Sequence, residues 1–273
     1  MNFGKQISIG FKGYFKALDL LFSKGFMKYM FFPLLLNILI FWIGMSEVVD
    51  LAVTARHAFM DWINIGNADF WGSEVLKGAL SGIITALIYV LFFISFTYLG
   101  GYLIVIILSP LFSVISEKTE KILTHGNSDY PFEIKQFFRD VFRGIGIAIR
   151  NVLFETGIMI LIFTAGFILS FISWIGVIFM FLITSYFYGF SYMDYSNERY
   201  KRNIKESVSF MRKYKWVAVV NGSLFALVLF IPYIGVALSA FVAVISVIAG
   251  TASMVEIKKI EDAETDKIFN TEI

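Results

Sequence analysis

Four residues ahead of the first long apolar run have types and spacing suited to holding an anion: Ser23, Lys24, Gly25 and Lys28. They lie just before or within the first turn of an apolar helix. There, free N–H groups and the positive end of the helix dipole attract negative charge, and two lysines add to it. The same lysines fit a plainer role, because Lys at a membrane boundary snorkels towards water and sets topology. Other polar residues beside apolar stretches carry the same two readings. Glu155 follows Arg150 closely enough for an interfacial pair, although a carboxylate inside an apolar run can also be a working group. Asn37 and Asn221 can bond between helices as packing groups.

Catalytic chemistry has no foothold beside these. The chain contains no G-x-x-x-x-G-K-[ST], no G-x-G-x-x-G opening a helix, no H-E-x-x-H and no G-x-S-x-G. With no Cys, disulfides, thiolate metal sites and a Cys nucleophile are excluded, and two His far apart in sequence argue against an imidazole metal site. The expectation is therefore no catalytic residue, no metal and no cofactor. A net charge of +2 gives no reason to expect nucleic acid. At 58% hydrophobic residues, 31 Phe and a mean hydropathy of +0.75, the chain reads as an integral membrane protein whose first partners are lipids.

The elements that would position these residues follow in chain order. Residues 1–24 space Phe3, Ile7, Phe11, Tyr14, Phe15, Leu18 and Leu21 as one helical face, with Lys5, Lys12, Lys16 and Asp19 between them, which predicts an amphipathic helix at a membrane surface. Residues 26–45 are apolar and long enough, at about 1.5 Å per residue, to cross a core of about 30 Å. No small-residue cleavage site follows this run, so it predicts a retained transmembrane helix. Residues 46–77 read as a polar loop carrying Glu47, Asp50, Asp61, Asp69 and Glu74 against Arg56 and Lys77. Residues 78–108 predict a second transmembrane helix, overlong, that must tilt, bend near Gly100 and Gly101 or project into water. Ser109 and Pro110 then break it.

Residues 109–150 predict an amphipathic helical segment, with Ile134, Phe137, Phe138, Val141, Phe142, Ile145 and Ile149 on one face. Two apolar runs follow, 152–193 and 216–255, separated by a basic helix over 194–215 and closed by a charged tail, 256–273. Each run holds one copy of a short echo, F-I-S-W-I-G-V from Phe171 and F-I-P-Y-I-G-V from Phe230. Ser173, Gly176, Pro232 and Gly235 supply turn chemistry within them, so both runs predict helical hairpins, fully crossing or re-entrant. The sequence assigns a single membrane domain over 1–273.

Charge asymmetry orients it. Residues 194–215 carry Arg199, Lys201, Arg202, Lys205, Arg212, Lys213 and Lys215, and residues 109–150 carry Lys118, Lys121, Lys135, Arg139, Arg143 and Arg150. By the positive-inside rule these segments and both termini are cytoplasmic, and the acidic loop 46–77 faces outside.

Five stretches, in order along nearly the whole chain, resemble one family. S-K-G-F-M-K-Y-M-F-F-P-L-L-L-N from Ser23 to Asn37 looks like an opening P-G-[LI]-R-R-F…P-L-L-x-N, and S-P-L-F-S-V-I-S-E-K-T-E from Ser109 to Glu120 is similar to A-P-F…L-x-E-x-x-E. Y-M-D-Y from Tyr192, the basic helix after it, and F-I-P-Y-I-G-V resemble the family's Y-x-D-Y and its I-P-L-L-N-L turn. These are the patterns of the CysZ-like sulfate permeases, grouped with the etoposide-induced 2.4 membrane proteins. The resemblance implies an all-α integral membrane fold of two long transmembrane helices, two hairpins that penetrate partway and amphipathic surface helices. It also implies a role in sulfate uptake and a family that is often oligomeric, so a homo-oligomer is one expected partner state; the expected location is the inner membrane, and with no ATP-binding motif no primary pumping is expected. The family's paired arginines correspond here to Met27 and Lys28, and its Pro to Lys24. The competing reading is a non-transporting membrane scaffold or lipid-interaction protein built on the amphipathic segments.

Overall fold

The computed structural model describes residues 1–63, 72–126, 134–168, 173–231 and 235–271. Among these, every regular element is helical. The helices are α1 Phe3–Ser23, α2 Phe31–Trp62, α3 Ser73–Ile107, α4 Ser109–Leu123, α5 Ile134–Ile168, α6 Ser173–Arg199, α7 Ile204–Lys213, α8 Lys215–Leu229 and α9 Gly235–Thr271, with a 3-10 turn over Phe26–Met30. Five are long and apolar enough to cross a membrane by length and composition: the 3-10 turn with α2, then α3, α5, α6 and α9. The 15 residues of α8 extend about 22 Å, short of a hydrocarbon core.

Residues 35–101 form one compact unit. Phe41 of α2 sits among Phe92, Phe93 and Phe96 of α3 at ring separations of 6.1, 6.1 and 5.3 Å, and Gly44 lies against Phe92, so the two helices run antiparallel. The expected loop 46–77 is helical over most of its length, because α2 continues to Trp62 and α3 already starts at Ser73. Glu47, Asp50, Arg56 and Asp61 are thus polar residues of a helix longer than the bilayer, and their backbone groups stay paired within it. Residues 64–71 lie outside the described residues. Likewise α3 passes through Gly100 and Gly101 as one helix.

The other unit comprises residues 1–34 and 102–273. Its centre is α9, of which Ala243, Val244, Val247, Ile248, Ala249, Ala252 and Met254 are buried against α1, α4, α6 and α8. Lipid is as apolar as the residues meeting here, so close backbone approach and polar bonds hold such helices together. The closest approach joins α6 to α8. A Cβ on Gly189 would overlap the Ala218 carbonyl and lie 2.9 Å from the Gly222 nitrogen, and one on Gly222 would lie 2.5 Å from the Gly189 nitrogen.

α1 docks by the side its Phe residues leave free. Gln6, Ile9, Gly10, Gly13, Ala17, Leu20 and Leu21 are buried, while Phe3, Phe11, Phe15, Leu18 and Phe22 are exposed, Phe15 to 72%. The expected single apolar face therefore divides, with Tyr14 and Leu21 turned inward. Tyr14 donates a hydrogen bond to the Asn221 carbonyl at 2.5 Å and lies 3.2 Å from Ser246 Oγ; burial raises its pKa well above that of a free tyrosine. Gln6 bridges the break between α7 and α8, donating to the Lys213 carbonyl at 3.2 Å and accepting from the Trp216 N–H at 3.1 Å.

α5 fuses the expected amphipathic segment to the first apolar run in one helix of 35 residues, and packs antiparallel on α6. Asn151 Nδ2 lies 3.1 Å from Ser191 Oγ, and Thr184 donates to Glu155 at 2.6 Å. The basic segment divides between the end of α6 and α7, whose start is fixed by a capping box: the Asn203 side chain accepts from the Glu206 N–H, and the Glu206 carboxylate accepts from the Asn203 N–H.

Candidate functional site

At the junction of α1 and the first spanning helix, the Lys24 N–H closes α1 on the Leu20 carbonyl at 3.0 Å. Gly25 then adopts φ 70°, ψ 29°, a left-handed conformation that side chains rarely tolerate, and reverses the chain into the 3-10 turn. Phe26 is wholly buried and anchors the turn, its ring 5.9 Å from that of Tyr29. Ser23, Lys24, Gly25 and Lys28 are all exposed, as is Met27.

Of this set, Lys28 gains company from a distant part of the sequence. Its ammonium lies 5.3 Å from the Tyr29 ring centroid, and Lys118 of α4 approaches the same ring at 5.6 Å and Phe26 at 4.9 Å. Two ammonium groups therefore flank one aromatic ring at the start of the first spanning helix. Lys118 was not foreseen in this role. Its sequence signals are its place within the S-P-L-F…E stretch and its charge among the bases of 109–150, neither of which pairs it with Lys28.

The hairpin residues fall elsewhere. Ser173 is the first residue of α6, and Gly176, in its first turn, faces Ile162 of α5, where a Cβ would lie 3.3 Å from Ile162 Cγ2. The Gly235 N–H reaches the Ile231 carbonyl at 2.9 Å at the start of α9. Pro232 lies outside the described residues.

Sequence reasoning missed the buried charges. Arg199 of α6 donates to Glu120 of α4 at 2.8 Å and to Ser116 and Ser196 at 2.8 and 3.1 Å, and Ser116 in turn lies 2.5 Å from Thr251 of α9. A second pair joins Arg143 of α5 to both oxygens of Asp194 at 3.4 Å; Arg143 also donates to Ser207 Oγ at 2.7 Å and to the Arg202 carbonyl. Asn197 completes this cluster, donating to Asp194 at 3.2 Å and accepting from Arg202 at 2.9 Å. Burying an ion is costly unless an opposite charge meets it, and removing one partner leaves the other uncompensated. The two acids belong to the S-E-K-T-E and Y-M-D-Y stretches, so these motifs act here by tying α4, α5, α6 and α9 together. Glu155 also departs from the expected pairing. It is fully buried with Thr184, while Arg150 donates to Asn151 at 3.0 Å and covers the Phe154 ring at 4.9 Å.

Among the described residues, no group of three or more His, Cys, Asp or Glu could hold a metal ion. The arrangement instead offers ammonium groups and N–H donors near the surface, backed by interior ion pairs that fix the helices presenting them.

The family model described as sulfate transporter CysZ/etoposide-induced protein 2.4 matches residues 14–239. Over 227 residues the chain is 24% identical to a sulfate transporter CysZ of Pseudomonas fluorescens (strain Pf0-1), covering 81% of this chain and 84% of that one. A sulfate transporter CysZ of Pseudomonas aeruginosa (strain LESB58) is also 24% identical, over 80% of this chain and 85% of its own. With the opening turn, the buried acids Glu120 and Asp194 and both copies of the short echo inside the matched stretch, the chain belongs to the sulfate transporter CysZ/etoposide-induced protein 2.4 family, a family of membrane transporters and not of enzymes.

Proposed function

We propose that this protein is a channel-like or facilitative transporter of an inorganic oxyanion such as sulfate, seated in the inner membrane with both termini cytoplasmic. The observation that carries the reading is the convergence of Lys28 and Lys118 on Tyr29 at the start of the first spanning helix. A tetrahedral oxyanion accepts hydrogen bonds at every oxygen, and two ammonium groups meet it with six N–H donors. The turns about Ser173, Gly176, Pro232 and Gly235 continue the pathway between the legs of the two hairpins, since interrupted apolar helices are where membrane transporters hold their substrates. The short α8 supports a half-depth second hairpin. The chain carries no nucleotide-binding motif, so a gradient drives the anion.

Calorimetric titration with sulfate tests the site. Lys28→Ala and Lys118→Ala each weaken binding about tenfold, the low end for a charge-assisted hydrogen bond because Lys28 is exposed. Met27→Arg with Lys28→Arg strengthens it, because a guanidinium makes two parallel bonds to an oxyanion where an ammonium offers a point charge. Identical binding by all four proteins makes the opening turn a membrane anchor. A scaffold or lipid-interaction role would then be favoured by the outward Phe3, Phe11, Phe15 and Phe22 stripe of α1.

A further inference from the structure

A cleft of about 370 Å³ between α5 and α7 is lined by Arg150, Ile204, Lys205, Val208, Ser209 and Arg212. Lys205, Val208, Ser209 and Arg212 recur at the three- and four-residue spacing of one helix face, so α7 turns a single wall of side chains to it. Arg150 forms the opposite wall, its guanidinium held by Asn151 at 3.0 Å and by the Phe154 and Phe190 rings at 4.9 and 5.6 Å. That support occupies one donor and leaves others free.

The electrostatics are one-sided. No acid lines the cleft, and none of its three cations forms an ion pair among the described residues. Neighbouring bases are already engaged: Arg143 with Asp194, Arg199 with Glu120, Lys213 with Glu261, and Arg202 with Asn197 and the Phe210 ring. Three like charges and a hydroxyl converge on one space, an arrangement suited to a ligand made of hydrogen-bond acceptors with negative charge. Just beyond Arg150, Leu153, Phe154, Ile160, Leu161 and Phe163 point outward from α5, Leu153 to 67%, as a surface for acyl chains. The cleft therefore sits where a headgroup would lie if the chains ran along that stripe.

We propose that this cleft seats the phosphate of an anionic phospholipid, with Arg150, Lys205 and Arg212 gripping the oxyanion and the outward face of α5 lining the acyl chains. A free phosphate or sulfate shares the oxyanion chemistry but makes no use of the apolar stripe. The site is separate from the opening turn and stands whether or not the protein transports sulfate.

Full-length protein, delipidated in a neutral detergent, is titrated with fluorescent phosphatidylglycerol, with phosphatidylcholine carrying the same fluorophore, and with sodium sulfate. Phosphatidylglycerol binds saturably and more tightly than phosphatidylcholine. Lys205→Gln and Arg212→Gln, both at exposed positions, each weaken it about fivefold, and together about 25-fold, while Lys12→Gln on α1 has no effect. Equal binding of the two lipids, or unchanged affinity in the double variant, overturns the assignment. Sulfate binding that the double variant abolishes while phosphatidylglycerol binding persists also overturns it, giving the cleft to a free anion.

Discussion

The charges that hold this protein together are few and specific. Arg199 and Glu120 are both nearly inaccessible, at 7% and 3% of their side-chain surfaces, and Ser116 and Ser196 accept from the arginine's Nη2 while its Nη1 is buried without a partner among the described residues. Glu120→Gln should lower stability by about 3 to 5 kcal/mol because it leaves a buried guanidinium without its counter-charge. Glu120→Leu with Arg199→Met removes both charges and should recover most of that loss. Thermal unfolding in detergent, followed by intrinsic tryptophan fluorescence, measures the difference; a double variant no more stable than Glu120→Gln would mean the pair itself supplies the stability. Neither this pair nor Arg143 with Asp194 was legible in the sequence. The partners lie 79 and 51 residues apart, and in the sequence both arginines read as bases that orient the chain. The acids alone left a trace, as carboxylates within the S-E-K-T-E and Y-M-D-Y stretches.

At the scale of elements, packing depends on what side chains do not occupy. α6 and α8 meet backbone to backbone at Gly189 and Gly222. Gly189→Ala should therefore lower the unfolding temperature although alanine is the better helix former, whereas Gly82→Ala, in open space on α3, should leave it unchanged or raise it slightly. Equal effects at the two sites would remove the close approach from the account. The sequence made helical elements legible where composition changes sharply, as at Ser109 and Pro110, but the basic helix expected over 194–215 divides before Asn203, whose side chain caps α7. It failed where a helix keeps its hydrogen bonds while its surroundings change. α2 runs on through Glu47, Asp50 and Asp61, and α5 joins an amphipathic stretch to an apolar one without a break. For α1 the pattern revealed a helix but not its docked side, because Gly10, Gly13 and Ala17 carry little hydropathy yet permit the approach that larger residues would block.

For the whole molecule, the membrane class is set by composition and matched by five helices of spanning length and apolarity. The proposed orientation is testable because the chain has no native Cys. In intact cells, a Cys at Asp61 should react with an impermeant thiol reagent and one at Lys205 should not; the reverse pattern would invert the topology. The central claim is movement of an oxyanion down its own gradient, and its most direct measurement is uptake of radiolabelled sulfate by liposomes reconstituted with the purified protein and no nucleotide. The account predicts saturable uptake, driven by the sulfate gradient, competed by thiosulfate more than by chloride, and reduced by Lys28→Ala together with Lys118→Ala. Uptake no faster than in protein-free liposomes would contradict it.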